Sequence, residues 1–116
     1  MKRFCSRIAV IDEGKIIALG SLQQLMRTLP TSKVIELSVV NVSDAEFSEL
    51  KKALYDLSGV KEIYTAGCFF IYVEDESVAE DVMRTVKKFG LRITKIISRE
   101  TTLEDMYLRL TGRRFE

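Results

Sequence analysis

An α+β fold is predicted for this chain by three features of its sequence. Apolar residues recur with period two in some segments and at helical spacing in others, capping residues and glycines separate those segments, and no apolar run exceeds the length of a strand. The bulk composition suits such a fold. At 116 residues the chain lies in the single-domain range, and its 47% hydrophobic and 30% charged residues can build a core inside a solvated surface. A net charge of only +1 argues against a protein that grips nucleic acid or anionic lipid through bulk charge. No segment approaches the ~18 apolar residues of a membrane-spanning helix and no signal sequence opens the chain, so a cytoplasmic location is expected. Histidine is absent, which removes the commonest general base and the commonest metal ligand together. Cys5 and Cys68 lack metal-ligand spacing and read as reduced thiols.

The first element is a β-hairpin. Ile8 to Ile11 and Ile16 to Leu19 flank Asp12-Glu13-Gly14-Lys15, where Gly14 supplies the positive φ of a tight turn and Asp12 faces Lys15. A two-residue loop sets Ile11 against Ile16, Val10 against Ile17, Ala9 against Ala18 and Ile8 against Leu19. One face then carries Ile8, Val10, Ile17 and Leu19, and the other Ala9, Ile11, Ile16 and Ala18. A hairpin on a domain surface alternates apolar and polar residues, so two apolar faces predict a partner on each side. Ile8, Val10, Ile17 and Leu19 are the candidate interface residues.

Ser21 then caps a short helix with Leu22, Leu25, Met26 and Leu29 on one face, and Pro30 ends it. The small polar residues around Pro30 place a boundary there, giving units 1–30 and 31–116. In the second unit Ile35, Leu37 and Val39 alternate with Glu36 and Ser38 as a half-buried strand. Ser43-Asp-Ala-Glu46 is a capping box opening a helix with Phe47, Leu50, Leu54 and Leu57, stopped at Ser58-Gly59. Val60 to Thr65 and Phe69 to Glu74 form a second hairpin about Ala66-Gly67, with Phe69, Ile71 and Val73 on one face. Ser77-Val-Ala-Glu80 reads as another capping box, before a helix with Val78, Val82, Val86 and Phe89 closed by Gly90. The last strand runs from Leu91 to about Ser98, and its apolar residues slip phase, which predicts a bulge or a bend near Lys95. Thr101-Thr-Leu-Glu104 reads as a third box, opening a helix with Leu103, Met106, Tyr107 and Leu110 that ends at Gly112. The order β-α-β-β-α-β from Lys33 is that of a ferredoxin-like domain, here preceded by a β-hairpin and short helix and followed by an extra C-terminal helix. The free sheet face, with Phe70, Tyr72 and Val60 or Tyr64, is one place for that helix to dock.

No glycine-rich phosphate cradle and no paired-carboxylate constellation appears, so no catalytic, cofactor-binding or metal-binding residue is assigned. Glu74-Asp75-Glu76 reads as a solvated strand-to-helix turn, and Arg99-Glu100 and Arg113-Arg114 as solvated charge near element ends. Tyr64, Phe69, Phe70 and Tyr72 lie on central strands, where RNA-binding modules of this topology stack bases, but the basic-Gly-aromatic pattern of those modules is missing. An RNA-binding module and a free-standing small-ligand sensor of the ACT type remain the alternatives.

Two segments carry a resemblance. Cys5-Ser-Arg-Ile-Ala-Val-Ile-Asp-Glu-Gly-Lys-Ile-Ile-Ala-Leu-Gly20 resembles the end of the nucleotide-binding domain of ABC transporter ATPases, with Ser6 where aspartate is usual. Arg99-Glu-Thr-Thr-Leu-Glu-Asp-Met-Tyr-Leu-Arg-Leu-Thr-Gly112 resembles the motif closing the appended C-terminal domain of exporter-type subunits. The resemblance implies that the phosphate-binding loop, the signature loop and the switch histidine of that family lie before Met1. It makes this chain a non-catalytic C-terminal piece of an ATP-hydrolysing subunit, with no cofactor of its own and ATP and magnesium in the parent. The implied partners are the missing ATPase core, a second ATPase subunit and a membrane permease, with the parent peripheral to the inner face of the membrane. Self-association of this piece through its hairpin is expected, and no nucleic acid is.

Overall fold

The computed structural model describes residues 7–112, so Cys5 and Arg113-Arg114 lie outside the described residues. Those residues form a mixed α+β structure with two sheets and four helices, in chain order β1 (Ile8–Asp12), β2 (Lys15–Gly20), α1 (Leu22–Met26), β3 (Lys33–Val40), α2 (Asp44–Tyr55), β4 (Val60–Thr65), β5 (Phe69–Val73), α3 (Val78–Lys88), β6 (Arg92–Glu100) and α4 (Leu103–Thr111). They divide into two compact units. One joins the residues up to Pro30 with those from Thr101 on, and the other is Thr31–Glu100. The closing helix α4 therefore groups with the N-terminal hairpin.

In the Thr31–Glu100 unit four antiparallel strands lie in the order β4-β5-β3-β6. Alternation along β3 sends Ile35 and Leu37 to one face, beside Ile71, Phe69 and Ile63 of the neighbouring strands. Helices α2 and α3 cover that face with Leu50, Leu54, Val78, Val82 and Val86, all buried. Phe47 stacks on Phe69 with ring centroids 4.6 Å apart. Gly59, between α2 and β4, has φ +95°, and a Cβ there would stand 2.8 Å from Val78 Cγ2, so a side chain at this stop is excluded twice.

The capping signals are realised unevenly. Ser43 and Glu46 form the expected reciprocal box, with Glu46 N–H donating to Ser43 Oγ at 3.1 Å and Ser43 N–H to Glu46 Oε1 at 3.0 Å. Ser21 forms another with Gln24, although α1 stops at Met26, before Pro30. At α3 the expected box does not form. Ser77 is itself in the helical region at φ −63°, and its N–H donates to Asp75 Oδ1, because the chain has begun to turn at Asp75. At α4 the box slides by one residue, to Thr102 and Asp105, whose buried Oδ2 accepts from Thr102 N at 2.6 Å. Thr102, like Ser21 and Ser43, has the extended backbone that a capping residue needs, whereas Ser77 does not. The predicted slip in the last strand is real. Lys95 pairs with Ser38 but Ile93 pairs with Val39, so Thr94 is the extra residue and both Ile93 and Ile96 reach the core.

In the other unit α1 packs on β2 and on α4, with Leu25, Leu29, Met106 and Leu108 buried. Substitutions separate these contributions. Leu54→Ala is expected to lower stability by ~2–5 kcal/mol and Ser43→Ala by about 1 kcal/mol in urea titrations followed by circular dichroism. A Ser43→Ala loss as large as that of Leu54→Ala would contradict the assignment of stability to the helix–sheet layer.

Candidate interaction surfaces

The hairpin turn is built as its sequence demands. Glu13 and Gly14 both have positive φ, 52° and 77°, the pattern of a type I′ turn, and Asp12 and Lys15 are ladder partners across it. Asp12 Oδ1 also accepts a hydrogen bond from Tyr107 Oη of α4 at 2.7 Å, inside the same unit.

Beyond the turn the register departs from expectation. Ile11 pairs with Ile16, but Val10 then pairs with Ala18, Ala9 with Leu19 and Ile8 with Gly20, leaving Ile17 as an extra residue. The bulge reassigns the faces, because each one-residue shift moves every later side chain across the sheet. Ile8 and Val10 share a half-buried face with Ala18 and Gly20. Leu19 instead joins Ile11 and Ile16 on the exposed face, where these three are 55%, 59% and 61% exposed. The anticipated set Ile8, Val10, Ile17 and Leu19 is therefore not co-facial. Gly20, the buried end of β2, lies against Gln24 and Leu25 of α1.

The second surface is the face of the four-stranded sheet that α2 and α3 leave alone. On it, Glu36 is opposed by Ile97 of β6, so Lys95 and Arg99 flank it from two residues on either side. Glu36 Oε2 accepts from Arg99 Nε at 2.6 Å and Oε1 pairs with Lys95 Nζ at 3.1 Å. Burial pushes this carboxyl up, but hydrogen bonds and charge from Arg99 and Lys95 outweigh it and hold it below its ordinary 4.5. Arg99 is thus no solvated end charge. Its signal in the sequence was a basic residue at each end of Lys95-Ile-Ile-Ser-Arg99, facing one acid in an apolar strand. Tyr64 hydrogen-bonds Glu62 and meets Tyr72 edge-on, while Phe70 and Tyr72 are buried and offer no ring face to a base. Val60 packs on the opposite face, against the core.

The remaining candidates are ordinary. Glu74 pairs with Lys61 at 2.7 Å, and among the described residues no three acidic, cysteine or histidine side chains gather as a metal site would require. Cys68 is half-buried in the loop before β5. No helix among the described residues is long and apolar enough to cross a membrane.

Comparison with known proteins adds what geometry does not. No protein-family model matches the chain. Its relatives are ABC transporter ATP-binding proteins. It is 34% identical over 116 residues, 99% of its length, to the Nod factor export ATP-binding protein I of Burkholderia thailandensis, and 32% identical over 115 residues to the protein of the same name from Rhizobium etli. It is 23% identical over 94% of its length to the linearmycin resistance ATP-binding protein LnrL of Bacillus subtilis. The matches cover 34%, 33% and 35% of those proteins, so the chain spans about a third of the length of the curated relatives it matches.

The Glu36 clamp makes a pH-dependent contribution of known sign. A depressed folded-state value means that its stabilisation is complete above about pH 4.5 and is lost as pH falls through the lower, folded-state value. Glu36→Gln is expected to cost about 1 kcal/mol at neutral pH. The wild-type and variant unfolding curves should converge on acidification, and a gap that stays constant to pH 3, roughly a unit and a half below an ordinary carboxylate, would refute the clamp.

Proposed function

We propose that this chain is the C-terminal portion of an ATP-binding subunit of an ABC exporter, and that the intact subunit couples ATP hydrolysis to export. The observation that carries this reading is similarity over nearly the whole chain to ATP-binding proteins, two of them named for export, together with coverage of only a third of each. In this reading the hairpin is the last pair of strands of the ATPase core. Its exposed Ile11, Ile16 and Leu19 support that role, since three large apolar side chains in water forgo roughly 1.5–3 kcal/mol each and are expected to be covered in the intact protein. The strand order β4-β5-β3-β6 supports a ferredoxin-like reading of the Thr31–Glu100 unit. That unit acts as an appended regulatory or subunit-contact domain, and the permease and second ATPase subunit are partners of the parent. The chain itself does no chemistry.

Purified alone, the chain should neither bind nor hydrolyse ATP in calorimetry and phosphate-release assays. The full-length gene product should do both. Turnover by this chain alone, or an inactive full-length product, would overturn the proposal. Alone, the chain should also self-associate through its exposed hairpin face. Light scattering should report a dimer or larger species that Ile11→Lys with Ile16→Glu returns to monomer, and a wild type that stays monomeric at high concentration would count against this.

A further inference from the structure

The four-stranded sheet ends at two edge strands, β4 and β6. An edge strand presents backbone donors and acceptors to any extended chain that approaches it. On β4 the central ones are already engaged. The Tyr55 hydroxyl, at the end of α2, accepts from Ile63 N at 3.0 Å and lies 3.4 Å from Ile63 O, to which it donates. Ile63 is opposed by Ile71 across the ladder, and its N–H turns to Tyr55 instead of β5, so these groups point where a further strand would bond. Burial does not hold this ring in place, since Tyr55 is 43% exposed while Leu50 and Leu54 of the same helix are fully buried.

The strand shut off in this way is complementary to itself. Two copies of β4, paired antiparallel about a two-fold axis at Ile63, would exchange the N–H and C=O that Tyr55 now holds. That register sets Glu62 of each copy against Tyr64 of the other, repeating across the junction the carboxylate–phenol bond that each copy makes internally. No like charges stand directly opposite in this register, because Lys61 falls opposite Thr65 and the two Glu62 side chains are only diagonal neighbours, each beside a Tyr64 hydroxyl. We propose that Tyr55 is an edge guard, whose hydroxyl occupies the Ile63 backbone groups and so keeps the β4 edge from joining the β4 edge of a second copy. The proposal is independent of the parent protein's activity.

Tyr55→Phe tests it, since the ring is retained at a half-exposed position and only the hydroxyl is lost. The substitution is made both in the wild type and alongside Ile11→Lys with Ile16→Glu, so that association through the first hairpin does not mask the result. The Ile63 amide should exchange with deuterium roughly fivefold faster in dilute solution, the factor that one net hydrogen bond represents. Sedimentation should show a larger dimer fraction in both backgrounds, and adding Glu62→Arg should reverse it. Unchanged exchange at Ile63, faster exchange without association, or a dimer that survives Glu62→Arg would each overturn the proposal.

Discussion

Strand β3 is the constraint on which the Thr31–Glu100 unit depends. It is flanked by β5 on one side and β6 on the other, and its two faces serve different chemistry. Ile35 and Leu37 close against α2 and α3, and burial there is the main favourable term for a unit of this size. Glu36, between them in sequence, points the other way and binds two cations of β6. A slip of one residue would put the carboxylate into the apolar layer and two aliphatic chains outside it, so the alternation of β3 guards its register from both faces at once.

Most of the elements were legible because their periods are strong. The residues on α2, α3 and β3 that repeat at helical or alternate spacing are those that meet in the core, and the phase slip of the last strand marked its bulge. What escaped was competition among near-equivalent local choices. Ser77 and Thr101 were the caps expected, but Ser77 adopts helical backbone and the cap of α4 falls to the extended Thr102. The Glu36 clamp escaped for a different reason. Its partners lie 59 and 63 residues away on β6, and only the ladder register brings them beside the carboxylate.

The first hairpin shows both outcomes in one element. Its turn and innermost pairs follow from Asp12-Glu13-Gly14-Lys15, whereas the bulge at Ile17 has no marker in a strand made almost entirely of apolar residues. Where every residue is apolar, alternation carries no information about which face is which, and contacts from outside the strand must choose. The exposed residues then collect on one side, Ile11, Ile16 and Leu19, which is a surface a neighbouring sheet or helix can cover in a single contact.

The two ends of the Thr31–Glu100 unit are themselves ladder partners. Lys33 opposes Glu100, and the side chains approach to 3.7 Å. A polypeptide that enters and leaves a fold at adjacent points on one sheet behaves as a cassette: the span its hosts must bridge is the same whether it is present, replaced by another module or deleted. The remaining unit is drawn from both sides of that cassette in the sequence. Within the Thr31–Glu100 unit the pairing of Lys33 with Glu100 thus closes the segment on itself, the first residue of β3 lying side by side with the last of β6.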